Sequence, residues 1–182
     1  MTLAAEKVLS FWYSELEPKD WFRKSDEIDQ QIRDRFAALH AQACQGELWH
    51  WRESARGRLA EVIVLDQFSR NLYRDDARAW AADPMALVLA QEAVAGGHDQ
   101  VLEHPMEKCF LYMPYMHSES ALIHEQALEL FDQPGLEDNL EFERKHKVIV
   151  DRFGRYPHRN AVLGRASTPE ELAFLQEPGS SF

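Results

Sequence analysis

The sequence has few cysteines and no pattern typical of a secretory leader. Cys44 and Cys109 are the two cysteines among 182 residues. The first residues lack the basic segment, apolar segment and small-residue cleavage site of a signal peptide. A disulfide-stabilised fold needs more cysteines than this and an oxidising compartment. We therefore expect a cytoplasmic protein with two free thiols.

Basic residues and long apolar runs are also scarce. Lysine and arginine total 20 against 31 acidic residues, which gives a formal net charge of -11. Binding to a phosphate backbone or to an anionic membrane surface requires basic surface, so neither nucleic acid nor membrane is predicted as a partner. Apolar runs are as short as the one from Val62 to Leu65, whereas a membrane-spanning helix needs about 20 largely apolar residues.

Strand patterns are missing as well, and apolar residues recur with the helical period. With 45% hydrophobic and 28% charged residues, the chain suits one all-α domain over residues 1–182. We predict seven to nine helices packed as antiparallel pairs. Asp83-Pro84 is interpreted as an N-cap with proline in the first turn, and Pro114 predicts a break just before His117. Predicted helices cover Ser25–Cys44, Ala55–Leu72, Ser120–Phe131 and Leu136–Phe153.

One polar group interrupts the apolar face of the helix predicted over Ala55–Leu72. On a helical wheel, Asp66 and Arg70 lie on the same side as Leu59 and Ile63. Gln67 and Asn71 lie next to this stripe, so a carboxylate, a guanidinium and two amides gather at one helix end. Such a group can orient a ligand. Alternatively, Asp66 and Arg70 form an ordinary ion pair one helical turn apart, and Asn71 serves the helix C-terminus.

A second polar group lies in the basic segment from Arg144 to Arg165, which holds seven basic residues and one acidic residue. Arg155, His158, Arg159 and Asn160 surround Pro157 in a part that glycine and proline break. Arginine side chains suit carboxylate or phosphate, and a helix restarting near His158 would add a partial positive charge. The alternative is that these arginines pair with the protein's own carboxylates.

His117 and Glu119 form a third group, next to the predicted break. They could act as an acid and base pair, or Ser118 and Glu119 could simply cap the following helix. HExxH and CxxC spacings are missing, as are a Gly-x-Ser-x-Gly elbow and a glycine-rich phosphate loop. The sequence therefore predicts neither a metal site nor a cofactor.

Three strings, taken together, resemble a known bacterial family. They are LDQFSRNLYR from Leu65 to Arg74, YMPYMHSE from Tyr112 to Glu119, and RFGRYPHRNAVLGR from Arg152 to Arg165. VLSFW at residues 8–12 and SSF at residues 180–182 belong to the same pattern. Together, the strings resemble the family catalogued as domain of unknown function 924 over nearly the whole chain. This resemblance implies a superhelix like that of tetratricopeptide repeats, in one domain, and it brings no established activity. The family commonly has proline where this chain has Ser69, which affects how rigidly Arg70 is held.

Two functional hypotheses follow from these groups. In the first, the three groups converge on one cleft that binds, and transforms, a small anionic molecule. His117, Glu119 and His158 would then be catalytic, and the ligand-binding residues would be Asp66, Gln67, Arg70, Asn71, Arg155, Arg159 and Asn160. In the second, the chain is an interaction module that holds a peptide in a groove between helix pairs, and these residues form a structural polar network.

Overall fold

The fold is all-helical in the computed structural model, which describes residues 1–181. These residues form nine α-helices, four short 3₁₀ turns and one π-helical segment, with no strand among them. The predicted all-α class and the predicted number of helices are confirmed. Phe182, the last residue of the terminal SSF string, lies outside the described residues. The helices are α1 Leu3–Ser10, α2 Asp26–Cys44, α3 Ala55–Leu72, α4 Arg78–Ala81, α5 Asp83–Ala95, α6 Pro105–Met116, α7 Ala121–Phe131, α8 Glu137–Phe153 and α9 Pro169–Phe174.

Side-chain caps fix several helix starts. The Ser25 hydroxyl accepts a hydrogen bond from the backbone N–H of Ile28 at the start of α2. Thr168 and Glu171 form a capping box at the start of α9. The predicted N-cap at Asp83 is wrong: Asp83 is already the first residue of α5, and its carboxylate binds Arg70 instead of the helix backbone.

Helix α3 lies at the centre of the core and packs against α1, α2, α5 and α6. The start of α3 packs closely against the preceding 3₁₀ turn. A Cβ atom on Gly57 would lie 2.1 Å from the carbonyl oxygen of Trp51, so this close approach requires glycine. Farther along, Phe68 contacts two aromatic rings from the π-helical segment Phe11–Glu15 and one from α2. Because α3 is buried on nearly all sides, its polar residues must find partners within the protein.

Two chain breaks bring distant segments together. Helix α6 continues through Pro114 and ends at Met116, so the predicted break before His117 is confirmed, although the proline itself lies in the last helical turn. Helix α8 ends at Phe153 and is followed by Gly154, whose φ of 68° lies in the left-handed region that terminates helices. The helix expected to restart near His158 is a single 3₁₀ turn at Pro157–Arg159.

Successive helices α6, α7 and α8 pack against one another, as do α2 and α3. Short connections between such neighbours are typical of antiparallel helix pairs and are consistent with a tetratricopeptide-like stack. Within residues 1–181 none of the helices has both the length and the apolar character needed to cross a bilayer.

Candidate functional site

A cleft of about 490 Å³ opens where α4 and α5 face the end of α6 and the 3₁₀ turn of Arg159. Its volume is in the range of small-molecule sites in proteins. One wall is mainly apolar, and the other carries polar and charged groups. The lining residues are Ala77, Trp80, Ala81, Asp83, Pro84, Leu87, Pro114, His117, Ser118, Glu119, Arg159 and Leu163.

His117 is bonded to a carboxylate that lies beneath it on α3. Its Nδ1 is 2.7 Å from Oδ1 of Asp66, which has no exposed surface. An ionised carboxylate can only accept, so Nδ1 carries the proton and donates it. His117 Nε2 has no hydrogen-bond partner among residues 1–181 and is left to accept or donate a proton in the cleft. A buried carboxylate that orients a histidine in this way is a frequent arrangement in acid and base catalysis.

The charge of Asp66 is maintained by its surroundings. Burial raises the pKa of Asp66, but the charges of His117 and Arg70 and two hydrogen bonds outweigh burial and hold the pKa below its usual value. One of these hydrogen bonds comes from Gln67, whose Nε2 is 2.6 Å from Oδ2 of Asp66. Asp66 and Gln67 therefore act on the cleft through His117.

Arg70 joins α3 to the start of α5. Its Nη2 donates to Oδ2 of Asp83 at 2.8 Å, and its Nη1 donates to Oδ1 of the same carboxylate and to the carbonyl oxygen of Ala79 at 2.9 Å. Nη2 is also 3.8 Å from Oδ1 of Asp66. The predicted pair one helical turn apart is thus present, but the hydrogen bonds of Arg70 go to Asp83 and to backbone. Arg70 fixes the wall of the cleft.

Arg159 reaches the cleft from the other side of the chain. Its Nη2 donates to the carbonyl oxygen of His117 at 3.0 Å, and its guanidinium lies over the ring of Tyr156 at 4.5 Å and near Trp80 at 5.6 Å. Burial, followed by the charge of Arg70, lowers the pKa of Arg159 from its usual value. Its Nε has no partner, and its Nη1 is 3.7 Å from Oδ2 of Asp83, beyond hydrogen-bond distance.

Glu119 lines the cleft but is held by an arginine of its own. Arg165 donates to both its carboxylate oxygens at 2.6 and 2.9 Å, and the backbone N–H of Tyr156 donates to it at 2.8 Å. Burial raises the pKa of Glu119, but these partners outweigh burial and lower it. Asn160, which is fully buried, accepts from Nε of Arg165 at 2.9 Å and so supports this pair from behind.

Two of the predicted residues lie elsewhere. Asn71 donates to Oδ1 of Asp29 at 2.7 Å, in a separate cleft of about 300 Å³ beside α2. Arg155 donates to both oxygens of Glu171 at 2.6 and 2.8 Å, which joins the segment after α8 to α9. These contacts account for Asn71 and Arg155 as parts of the structural network.

His158 is adjacent to Arg159 in sequence but is not part of the cleft lining. Burial, with a smaller effect of Arg159, lowers the pKa of His158 to about 4, so its ring is neutral near pH 7. Its Nδ1 is buried without a hydrogen-bond partner. Within the part of the chain described, no three histidine, cysteine or carboxylate side chains lie close enough together to hold a metal ion.

Asp83 and Trp80 are the main cleft residues that the sequence did not predict. The Asp-Pro pair suggested a helix cap for Asp83, and α4, which carries Trp80, is too short to produce a periodic pattern. In the sequence, the only indication of a carboxylate near Arg70 and Arg159 is the positive charge of these two side chains, which requires a partner when it is buried.

The fold and the cleft together define an all-helical protein in which three distant segments surround one histidine and one arginine. Residues 8–179 match the family described as bacterial protein of unknown function (DUF924), and the chain belongs to this family. A solved structure of a protein of unknown function from Agrobacterium tumefaciens is similar, with 38% sequence identity and a TM-score of 0.89. The match covers 94% of this chain and 96% of the other. A search of curated proteins finds no match.

Proposed function

We propose that the cleft binds a small anionic molecule through Arg159 and that His117 exchanges a proton with it. The observation that carries this proposal is the position of Arg159 beside the His117–Asp66 pair. Nη2 of Arg159 is 3.0 Å from the carbonyl oxygen of His117, and both side chains line the same cleft. An anion that accepts from Arg159 therefore lies next to the imidazole.

The free hydrogen-bonding capacity of Arg159 supports its role. A guanidinium carries five N–H donors, and buried donors are nearly always paired. Arg159 is only 7% exposed, yet its Nε has no partner and its Nη1 has none at hydrogen-bond distance in residues 1–181. A bound carboxylate or phosphate would supply an acceptor for Nη1.

The other charged groups have positioning roles in this proposal. Asp66 sets the tautomer of His117, Arg70 holds Asp83, and Arg165 holds Glu119. An orienting carboxylate of this kind leaves Nε2 as the proton-transfer atom. The reaction class is proton transfer to or from a bound anion, and His117 is its candidate catalytic residue.

Calorimetric titration with small carboxylates and phosphates tests this proposal. We expect saturable binding to the unmodified protein, and a loss of about tenfold or more in Arg159→Gln, since a charge-assisted hydrogen bond contributes at least about 1.5 kcal/mol. Arg152→Gln is the matched control, because Arg152 lies in the same basic segment and pairs with Glu170 at the surface. Equal affinity in the Arg159→Gln and Arg152→Gln variants would contradict the proposal, as would the failure of every anion to bind.

Arg159→Gln can also lower stability, so a second variant is needed. Arg159→Lys keeps the positive charge but cannot make two parallel hydrogen bonds to one anion. We expect its affinity to lie between those of the unmodified protein and Arg159→Gln. Thermal unfolding of each variant separates loss of binding from loss of folding.

A further inference from the structure

The charges around the cleft identify the class of anion, provided that the proposed function is correct. Arg70 is bound to Asp83, and Arg165 is bound to Glu119, in each case through two nitrogen–oxygen contacts to one carboxylate. Arg159 differs, because its nearest carboxylate oxygen is 3.7 Å away. Among the described residues of the cleft, Arg159 is therefore the one cation without a carboxylate at hydrogen-bond distance.

The two carboxylates that line the cleft limit the charge that it can accept. Asp83 and Glu119 each have an arginine partner, and both line the space that the ligand would occupy. With Asp66 behind them, three carboxylates stand against three arginines, so the charges of these six groups sum to zero. A dianion such as a phosphate monoester would place its second charge near these carboxylates, which is unfavourable at low dielectric. One negative charge is matched by the free donors of Arg159.

Apart from His117 and Ser118, the rest of the lining is apolar. Trp80, Pro84 and Leu87 lie on the α4–α5 side, and Pro114 and Leu163 lie on the opposite side. The hydroxyl groups of a sugar or another polyol would have no partners where they face these apolar side chains. The volume of about 490 Å³ accommodates a body larger than that of acetate.

The rings that cover Arg159 limit its binding geometry. Its guanidinium lies over Tyr156 at 4.5 Å and near Trp80 at 5.6 Å, so aromatic rings occupy positions that a ligand could otherwise fill. The N–H donors of a guanidinium lie in its plane, and Nη1, which has no acceptor at hydrogen-bond distance, can contribute to two parallel hydrogen bonds to a planar carboxylate.

We propose that the ligand is a monocarboxylate with an apolar body. Its carboxylate accepts from Arg159 beside His117, and its apolar part lies against Trp80, Pro84 and Leu87. This assignment rests on the proposed function. The test is therefore chosen so that failure of the assignment and failure of the proposed function give different results.

A matched set of ligands tests the assignment by calorimetric titration at pH 7. The probes are 3-phenylpropanoate, octanoate, phenethyl phosphate, acetate and 3-phenylpropanol. We expect the two larger carboxylates to bind at least about tenfold more tightly than acetate, because the apolar body buries surface in the cleft. They should also bind at least about tenfold more tightly than the phosphate and the alcohol, since neither offers one planar negative charge.

Each of the other outcomes would overturn a specific part of the proposal. Tighter binding of phenethyl phosphate would overturn the monocarboxylate and leave an anion site in place. Equal binding of acetate and octanoate would overturn the apolar body. Equal binding of 3-phenylpropanol and 3-phenylpropanoate, or no binding by any anion, would overturn the proposed function itself.

Variants of α5 provide a further check that does not disturb Arg159. Leu87 lines the cleft, whereas Val88 is 55% exposed and lies outside the lining. We expect Leu87→Asn to weaken 3-phenylpropanoate at least about fivefold and to leave acetate unchanged, since only the apolar contact is lost. Val88→Asn should leave both affinities unchanged. Equal effects of the two variants would contradict the placement of the apolar body.

Discussion

Nδ1 of His117 lies 2.7 Å from Oδ1 of Asp66, although the two residues are 51 positions apart in the chain. This bond joins α3, the helix at the centre of the core, to the loop that follows α6. It also places an ionised carboxylate with no exposed surface directly beneath the cleft. The stability of the protein and the chemistry of the cleft are therefore linked through one side chain.

Replacement of Asp66 by asparagine should destabilise the protein strongly. The variant keeps the shape of the side chain but removes a buried negative charge that faces His117 and Arg70. Breaking a buried charge pair costs about 3–5 kcal/mol, so we expect the free energy of unfolding to fall by at least about 3 kcal/mol. Denaturant unfolding at pH 7 measures the change.

Asp76→Asn is the matched control, because Asp76 forms a comparable pair with Arg78 on the surface. Exposed pairs contribute little, so this variant should unfold at nearly the same denaturant concentration as the unmodified protein. The lowered pKa of Asp66 also has a pH signature. Its stabilisation is present above the usual pKa of 3.8 and is lost as the pH falls through the folded-state value, so this loss should disappear in Asp66→Asn. Similar acid unfolding curves for the two variants would contradict the assignment.

A second pH effect should come from His158. Burial and the charge of Arg159 lower its pKa from 6.5 to about 4, so between these values the unfolded chain binds a proton that the folded chain does not. Stability should therefore decrease as the pH falls from 6.5 to 4, by at most about 3 kcal/mol from this residue. Denaturant unfolding at several pH values in this range measures the slope.

His158→Phe removes this titration and the buried Nδ1 that lacks a partner. We expect a smaller decrease in stability between pH 6.5 and 4, with stability at pH 7 equal to that of the unmodified protein or higher. Replacement of His146, whose pKa burial lowers to about 3, by phenylalanine should also reduce the pH dependence, but it should lower stability at pH 7 because Nδ1 of His146 is bonded to the carbonyl oxygen of Phe142. An unchanged slope in the His158→Phe protein would show that its ring is solvated.

The sequence predicted the helices far better than it predicted the contacts of the site. The bounds Ala55–Leu72, predicted from apolar periodicity, match α3 as observed, and Ser54 is its N-cap in the structure. Such signals are local, because each depends on residues within a few turns. Helix α4 was missed because four residues do not complete a periodic pattern.

The contacts of the site depend on packing between segments that are distant in the chain. Residue types identified Asp66, His117 and Arg159 as candidates, but nothing local indicates that His117 binds Asp66 rather than Glu119. Arg155 and Arg159 look alike in the sequence, four positions apart. Only the fold shows that Arg155 has Glu171 as its partner while Arg159 has no carboxylate at hydrogen-bond distance.

Glu143 and His124 should support the cleft without touching it. Both side chains have no exposed surface, and Nδ1 of His124 is 2.6 Å from Oε1 of Glu143. Nε2 of His124 donates to the carbonyl oxygen of Ser118 at 2.8 Å, so the pair holds the loop that carries His117. We expect Glu143→Ala to lower the free energy of unfolding by about 3–5 kcal/mol and Glu143→Gln by less, because glutamine keeps a hydrogen bond.

Glu141→Ala on the same helix provides the comparison. Glu141 is exposed and lies 3.7 and 3.9 Å from its two basic neighbours, so its removal should have little effect on unfolding. The Glu143→Gln protein should fold, and its affinity for 3-phenylpropanoate should decrease because the His117 loop is held less firmly. Full stability in Glu143→Ala would show that the buried pair is unimportant for the fold.

Ligand binding should be accompanied by proton uptake at His117. An anion on Arg159 lies beside the imidazole, and a nearby negative charge favours the protonated ring. Binding of 3-phenylpropanoate should therefore be tighter at pH 6 than at pH 8, and its calorimetric enthalpy should depend on the ionisation enthalpy of the buffer. His117→Gln should lose both effects, whereas His50→Gln, which replaces an exposed histidine outside the cleft, should keep them. Proton uptake that persists in His117→Gln would show that a group other than His117 takes up the proton. Binding without any proton uptake would support Arg159 as an anion site and contradict the role of His117 in proton transfer.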